Sequence, residues 1–270
     1  MKYQDMWDLP LSKYDLDKQS FKKRISHVTS WIVYIVVGAL MKLIFRLTTK
    51  QREHIRELLG KSGAVIIAPH VSYLDPVALW LSARPQQFIR FMAKDDLFTQ
   101  EKGLTRKLLG WLISAVGAFP IKRDSADKAA IKRAVAMLKR GELVGIFPEG
   151  TRRGKGNLQP TLHGGAMLIA RMAHVPVVAV GIRGLVDAHD QKRHIWFPKI
   201  EVVYSKPISL ETFNFLPKED RLAAAMWYVM RKSFALSRNI PDEEVDMNIL
   251  FPGSRDFSSE LSNLSSEMTL

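Results

Sequence analysis

The chain has 270 residues, 47% of them hydrophobic, enough to bury a sizeable core and to exclude wholesale disorder. It has no cysteine, which excludes disulfide staples, thiolate metal sites and catalysis through a cysteine nucleophile. The 40 Lys+Arg against 27 Asp+Glu leave a net charge of +13, a surplus that implies a polyanionic partner: nucleic acid, an anionic membrane face or a phosphorylated substrate.

The start, with Met1, Lys2, Asp5 and Asp8, lacks the apolar stretch of an export signal, which favours a cytoplasmic location. Lys22, Lys23 and Arg24 precede an uncharged run over residues 28–41. That run is shorter than the ~20 residues that span a bilayer. Trp31 and Tyr34 lie within it, and Lys42 and Arg46 follow, so it predicts a helix lying in or dipping into the membrane interface, although a buried core helix has the same pattern. Arg106 and Lys107, followed by Leu108, Leu109, Trp111, Leu112 and Ile113, form a second patch of this kind. Residues 1–58 are read as an N-terminal helical, membrane-associating segment.

Residues 59–240 change pattern. Short apolar runs at 64–68, 88–92, 143–147, 175–182 and 201–204 predict strands, with helical segments between them. The clearest helix starts after Asp124 with Ser125 as N-cap, carries Ile131, Ala134, Val135 and Leu138 at helical spacing, and stops at Gly141. The alternation predicts a single layered α/β domain with a mixed, largely parallel sheet flanked by helices. Residues 241–270 carry one basic residue against seven acidic ones, a net of −6 that leaves +19 on the rest. Serine-rich and without sustained periodicity, this stretch is read as a disordered acidic tail.

Three loops carry chemistry. His70 ends the first strand and Asp75 follows five residues later, able to fold back onto Nδ1 and leave Nε2 as a base. Strand capping by His70 and helix capping by Asp75 are the structural alternative. The strand at 143–147 runs into Pro148, Glu149, Gly150, Thr151, Arg152 and Arg153, where a glycine, a hydroxyl and planar guanidinium forks suit a phosphate. Gly117 to Arg123 ends in Lys122-Arg123 just before a helix N-terminus, a position that suits an anion.

Together, the H-x4-D at 70–75, G-x3-I-x-R at 117–123, F-P-E-G-T-R at 147–152 and V-P-V-V at 175–178 resemble the motifs of the glycerolipid acyltransferases in order and spacing, over roughly residues 60–210. Within that family the bacterial lysophosphatidic acid acyltransferases are the most similar. The resemblance implies transfer of a fatty acyl group from an acyl thioester to the sn-2 hydroxyl of 1-acyl-glycerol-3-phosphate. It makes His70 the general base and Asp75 its orienting partner. Arg123, Glu149, Gly150, Thr151 and Arg152 would hold the acceptor phosphate, with Lys94, Lys122 and Arg153 as secondary contacts, and the strand at 175–178 would shape the acyl or substrate pocket. No cofactor is implied beyond acyl-CoA or acyl carrier protein as co-substrate. The chain departs from the family pattern at Ala179, where Pro is common, and at His163, near a common Lys.

The expected partners are an anionic membrane surface, a lysophospholipid acceptor and the acyl donor, at the cytoplasmic face of the cell membrane, with monotopic or peripheral attachment. Glycerol-3-phosphate or another lysolipid is the alternative acceptor. A non-catalytic membrane- or nucleic-acid-binding module would explain the charge but not the ordered motifs, and nucleic acid is not an expected partner. A serine hydrolase would need a G-x-S-x-G that the chain lacks. His189 and His194 lack a convincing third metal ligand, so no metal is expected.

Overall fold

Apolar residues in unbroken short runs form strands that can be covered on both faces, and such runs build the centre of this molecule. The computed structural model describes residues 27–84, 89–94, 113, 117–121, 127–150, 153, 160–185, 197–262 and 264. The strands are β1 (Thr48–Lys50), β2 (Ala64–Ile67), β3 (Ile89–Lys94), β4 (Phe119–Ile121), β5 (Leu143–Ile146), β6 (Val177–Arg183) and β7 (Glu201–Tyr204). They form one sheet in the order β1-β7-β6-β2-β5-β3-β4. Every neighbouring pair is parallel except β6 and β7. The sheet is therefore mixed and largely parallel, as the strand–helix alternation predicts. The five predicted runs are β2, β3, β5, β6 and β7; β1 and β4 are three-residue edge strands without a readable pattern.

The helices are α1 (His27–Phe45), α2 (Glu53–Arg56), α3 (Asp75–Ala83), α4 (Lys128–Lys139), α5 (Gly165–Ala173), α6 (Arg221–Arg238) and α7 (Met247–Leu250). Strand alternation divides the core in two. Val65 and Ile67 of β2 pack with α4, α5 and α6, whereas Ala64 and Ile66 pack on the other face with α1 and α3. Helix α4 is capped by Asp127, whose carboxylate accepts from the Ala130 amide at 2.9 Å, so it starts later than the Ser125 cap predicts. Gly141, at φ +83°, ends it where expected.

Over its described residues, 241–262 and 264, the acidic segment corrects the expectation of a disordered tail. Val245, Met247, Leu250, Phe251, Phe257 and Leu261 are buried in the same core cluster as α6. Some of its acidic residues are engaged with the body and with the segment's own backbone. Asp242 pairs with Lys232 at 3.1 Å, Asp246 caps α7 through the amides of Asn248 and Ile249, and Arg255 joins Asp220 to Glu260. One 3₁₀ turn, one turn of helix and a series of bends place these apolar side chains inward without a repeating period, which is why their sequence looks unstructured.

Helix α1 is apolar on two sides. Val33, Tyr34, Val37, Met41 and Phe45 pack onto the core, while Trp31, Ile32, Ile35, Val36, Leu40 and Leu43 are exposed. No helix among the described residues is long and apolar enough to cross a membrane. Arg84, 2% exposed, ties α1 to α3: its guanidinium lies 4.7 Å from the Trp80 ring, 5.7 Å from Tyr34 and 5.9 Å from Trp31. The patch from Arg106 to Leu112, together with His189 and His194, lies outside the described residues.

Candidate active site

Strand β2 lies in the middle of the sheet, and its C-terminal end opens where parallel sheets place their ligands. Three residues beyond it stands His70. The loop that follows enters α3, and Asp75, the first helical residue, turns its side chain back over that loop. Asp75 is fully buried, and its Oδ2 accepts from the amides of Val71 and Ser72, both at 2.7 Å. The same oxygen lies 2.9 Å from His70 Nδ1. With a carboxylate as its partner, Nδ1 carries the proton and Nε2 keeps a free lone pair. No side chain or backbone group among the described residues binds that Nε2. The imidazole stacks on Phe147, ring centres 4.4 Å apart and planes 26° apart, and Phe147 in turn stacks on Phe91.

Gly145 makes this stack possible. A Cβ there would come within 2.5 Å of the Phe91 ring, so only glycine lets Phe91 lie across β5.

The loop after β5 holds the histidine backbone from both sides. Glu149 Oε2 accepts from the His70 amide at 2.9 Å, and the Arg153 amide donates to the His70 carbonyl at 2.8 Å. Glu149 Oε1 accepts from Arg153 Nε at 2.7 Å. Gly150 turns the loop at φ +68°, a conformation that favours glycine. Burial pushes the Glu149 carboxyl above the usual carboxylate range, opposed by Arg153 and by the His70 amide.

This geometry corrects two assignments. Glu149 is 3% exposed and spends both oxygens on the protein, so it positions His70 rather than meeting a phosphate. Arg153 points inward, with its guanidinium against the rings of Phe251 and Phe234 at 4.4 and 4.8 Å and Nη2 donating to the Leu250 carbonyl. Lys94 ends β3 at the same edge of the sheet as His70, since β2, β5 and β3 are mutually parallel. Lys122, Arg123, Thr151 and Arg152 lie outside the described residues. The residues at 175–178 do not shape this site. They enter β6 at the opposite end of the sheet, with Val177 paired to Val65, and Val175, Val177 and Val178 are packed in the core.

The two departures from the family pattern have separate settings. The Ala179 amide donates to Ser205 Oγ at 2.9 Å, a bond that a proline could not make. His163 donates its amide to the Pro148 carbonyl, and its ring borders Gly150. The sequence reading missed the ring roles of Phe147 and Phe91. The signal was a strand ending in an aromatic beside a histidine loop, with a lone glycine two residues earlier.

The model of the acyltransferase family matches residues 46–183, just over half of the chain, and includes every element of this site built from β2 and β5. The chain belongs to the acyltransferase family. It is 31% identical over 193 residues to the 1-acyl-sn-glycerol-3-phosphate acyltransferase of Bacillus subtilis, covering 71% of this chain and 90% of the relative. It is 39% identical over 156 residues to that of Streptococcus pneumoniae, covering 57% of this chain and 53% of the relative. The crystal structure of the 1-acyl-sn-glycerophosphate (LPA) acyltransferase PlsC from Thermotoga maritima shares the fold, with a TM-score of 0.52 at 21% identity, over 84% of this chain and 87% of that one.

Chemically, the acyltransferase presents an imidazole with a free Nε2, a buried carboxylate able to stabilise a positive charge on that ring, and a histidine backbone held by two hydrogen bonds. That arrangement suits removal of a proton from a hydroxyl as it attacks a carbonyl.

Proposed function

We propose that this acyltransferase moves a fatty acyl group from an acyl thioester to the sn-2 hydroxyl of 1-acyl-glycerol-3-phosphate, giving phosphatidic acid. The observation that carries the reading is the His70–Asp75 pair, at 2.9 Å, at the carboxyl end of the central strand. His70 Nε2 takes the hydroxyl proton while the oxygen attacks the thioester carbonyl carbon. The resulting tetrahedral species collapses, the carbon–sulfur bond breaks, and the imidazolium returns its proton to the departing thiolate. No acyl-enzyme forms. The base contributes on the order of 10² to 10⁴-fold, and alignment of hydroxyl, base and carbonyl contributes more.

The donor is acyl-CoA or acyl carrier protein, and no further cofactor takes part. Lys94 and the residues from Lys122 to Arg123 and Thr151 to Arg152 receive the acceptor phosphate. The chain works at the cytoplasmic face of the cell membrane as a monotopic or peripheral protein, without a nucleic-acid partner. Six exposed apolar side chains of α1, with Lys42 near its end and Arg46 just beyond it, support attachment to an anionic surface.

Mass spectrometry of purified enzyme in vesicles tests this reading. The acceptors are lysophosphatidic acid, glycerol-3-phosphate and neutral or zwitterionic lysolipids, each with acyl-CoA and with acyl carrier protein as donor. Phosphatidic acid from lysophosphatidic acid is the expected product. Turnover of another acceptor with none of lysophosphatidic acid would overturn the assignment.

A further inference from the structure

Arg153 and the C-terminal segment are joined in a way that acyl transfer by His70 does not by itself require. The guanidinium reaches Glu149 with Nε and the carbonyl of Leu250, 97 positions later in the chain, with Nη2 at 3.0 Å. Its flat face lies against Phe251, and Phe234 of α6 packs against both the guanidinium and Phe251. Only 18% of the Arg153 side chain is exposed. A guanidinium is suited to this place because it offers several donors in one plane and an apolar face for rings. An ammonium is a point charge and cannot hold both acceptors in that geometry.

From Arg153 the contacts run directly to the base. Holding Glu149 Oε1 aims Oε2 at the His70 amide, and the Arg153 amide itself grips the His70 carbonyl. We propose that Arg153 is a positioning residue that couples the folded C-terminal segment, through Leu250 and Phe251, to the backbone of the catalytic histidine. The segment from Val245 to Leu261 is then part of the active-site scaffold. This inference rests on His70 being the base.

The experiment measures kcat and KM for lysophosphatidic acid in Arg153→Lys, Arg153→Met, Phe251→Ala, the Arg153→Met/Phe251→Ala double variant and His70→Ala. Thermal unfolding is recorded for each. Arg153→Met leaves Glu149 buried without its cation, so Arg153→Met/Glu149→Gln is included as a variant with neither charge. Misplacing a base by about an ångström costs on the order of 10²-fold. The expected result is a fall in kcat of roughly 10- to 100-fold for Arg153→Met at an acceptor KM within about 2-fold of wild type. Arg153→Lys should recover part of that loss, and the effects of Arg153→Met and Phe251→Ala should fall short of additive. If Arg153→Met does not fold, the same kcat-specific loss is read from Arg153→Lys and from the variant with neither charge.

A rise in acceptor KM with kcat retained would show Arg153 to be a phosphate contact and overturn the proposal. So would wild-type kcat in folded Arg153 variants, or independence of the Arg153 and Phe251 effects. Near-wild-type turnover in His70→Ala would instead overturn the reading on which the proposal rests.

Discussion

Replacing Asp75 by Asn separates the charge of the dyad from its geometry. Oδ2 of Asp75 accepts three hydrogen bonds, from Val71, Ser72 and His70, and an asparagine oxygen can keep the two backbone bonds that shape the loop. The negative charge is lost. In the proposed reaction His70 becomes an imidazolium whose charge lies ~4 Å from that of the carboxylate, and at an effective dielectric of about 20 this pair is worth about 4 kcal/mol. At ~1.4 kcal/mol per tenfold in rate, kcat should fall by about 10³-fold. Stability should fall less. The new amide nitrogen would sit where Oδ1 is buried without a hydrogen-bond partner among the described residues, a cost of about 1–3 kcal/mol. Steady-state kinetics on lysophosphatidic acid, beside thermal unfolding of the same samples, reads both quantities. A kcat within about 3-fold of wild type, or a loss confined to KM, would refute the role given to Asp75.

Three further outcomes are expected. Gly145→Ala drives a Cβ into Phe91, the ring beneath Phe147 and His70, and into Ile89, so stability should fall by about 1–3 kcal/mol with a loss of kcat; Gly145→Ala/Phe91→Leu/Ile89→Val should recover part of both. Burial raises the Glu149 carboxyl, so the folded state holds a proton that the unfolded chain releases, and stability falls as pH rises from the ordinary carboxylate value through the raised one. Glu149→Gln should flatten that part of the curve of melting temperature against pH, and an unchanged slope would contradict the shift. Ile35→Glu/Leu43→Glu, at exposed positions of α1, should abolish flotation with anionic vesicles while leaving the melting temperature nearly unchanged; retained flotation would remove α1 from the membrane contact.

How far sequence predicts structure here depends on whether a residue's partners lie close in the chain. Strands β2, β5 and β6 are legible because a central parallel strand is apolar on both faces, and the histidine and aspartate are legible because five residues of loop suffice to bring them together. Asp127 caps α4 two residues beyond the expected Ser125, a shift that only the backbone decides. Glu149 and Arg153 are harder. A run of Glu, Gly, Thr, Arg and Arg after a strand reads as a polar loop facing a ligand, and nothing local says that two of its members turn inward. What turns Arg153 inward is a carbonyl and two rings from the far end of the chain. The same distance hid the C-terminal segment. Its apolar residues pack singly between bends, so neither the helical nor the strand period marks them, and of the acidic residues that suggested a disordered tail, Asp242 pairs with Lys232 and Glu260 with Arg255.

The proposal that His70 is the base is tested most directly by single-turnover kinetics of purified His70→Ala in vesicles holding lysophosphatidic acid and an acyl thioester, with phosphatidic acid quantified by mass spectrometry. With Asp75 and the loop around it intact and the protein folded, the rate of phosphatidic acid formation should drop by about 10² to 10⁴-fold while acceptor binding is retained. Phosphatidic acid formed at a rate close to wild type would contradict general-base catalysis by His70.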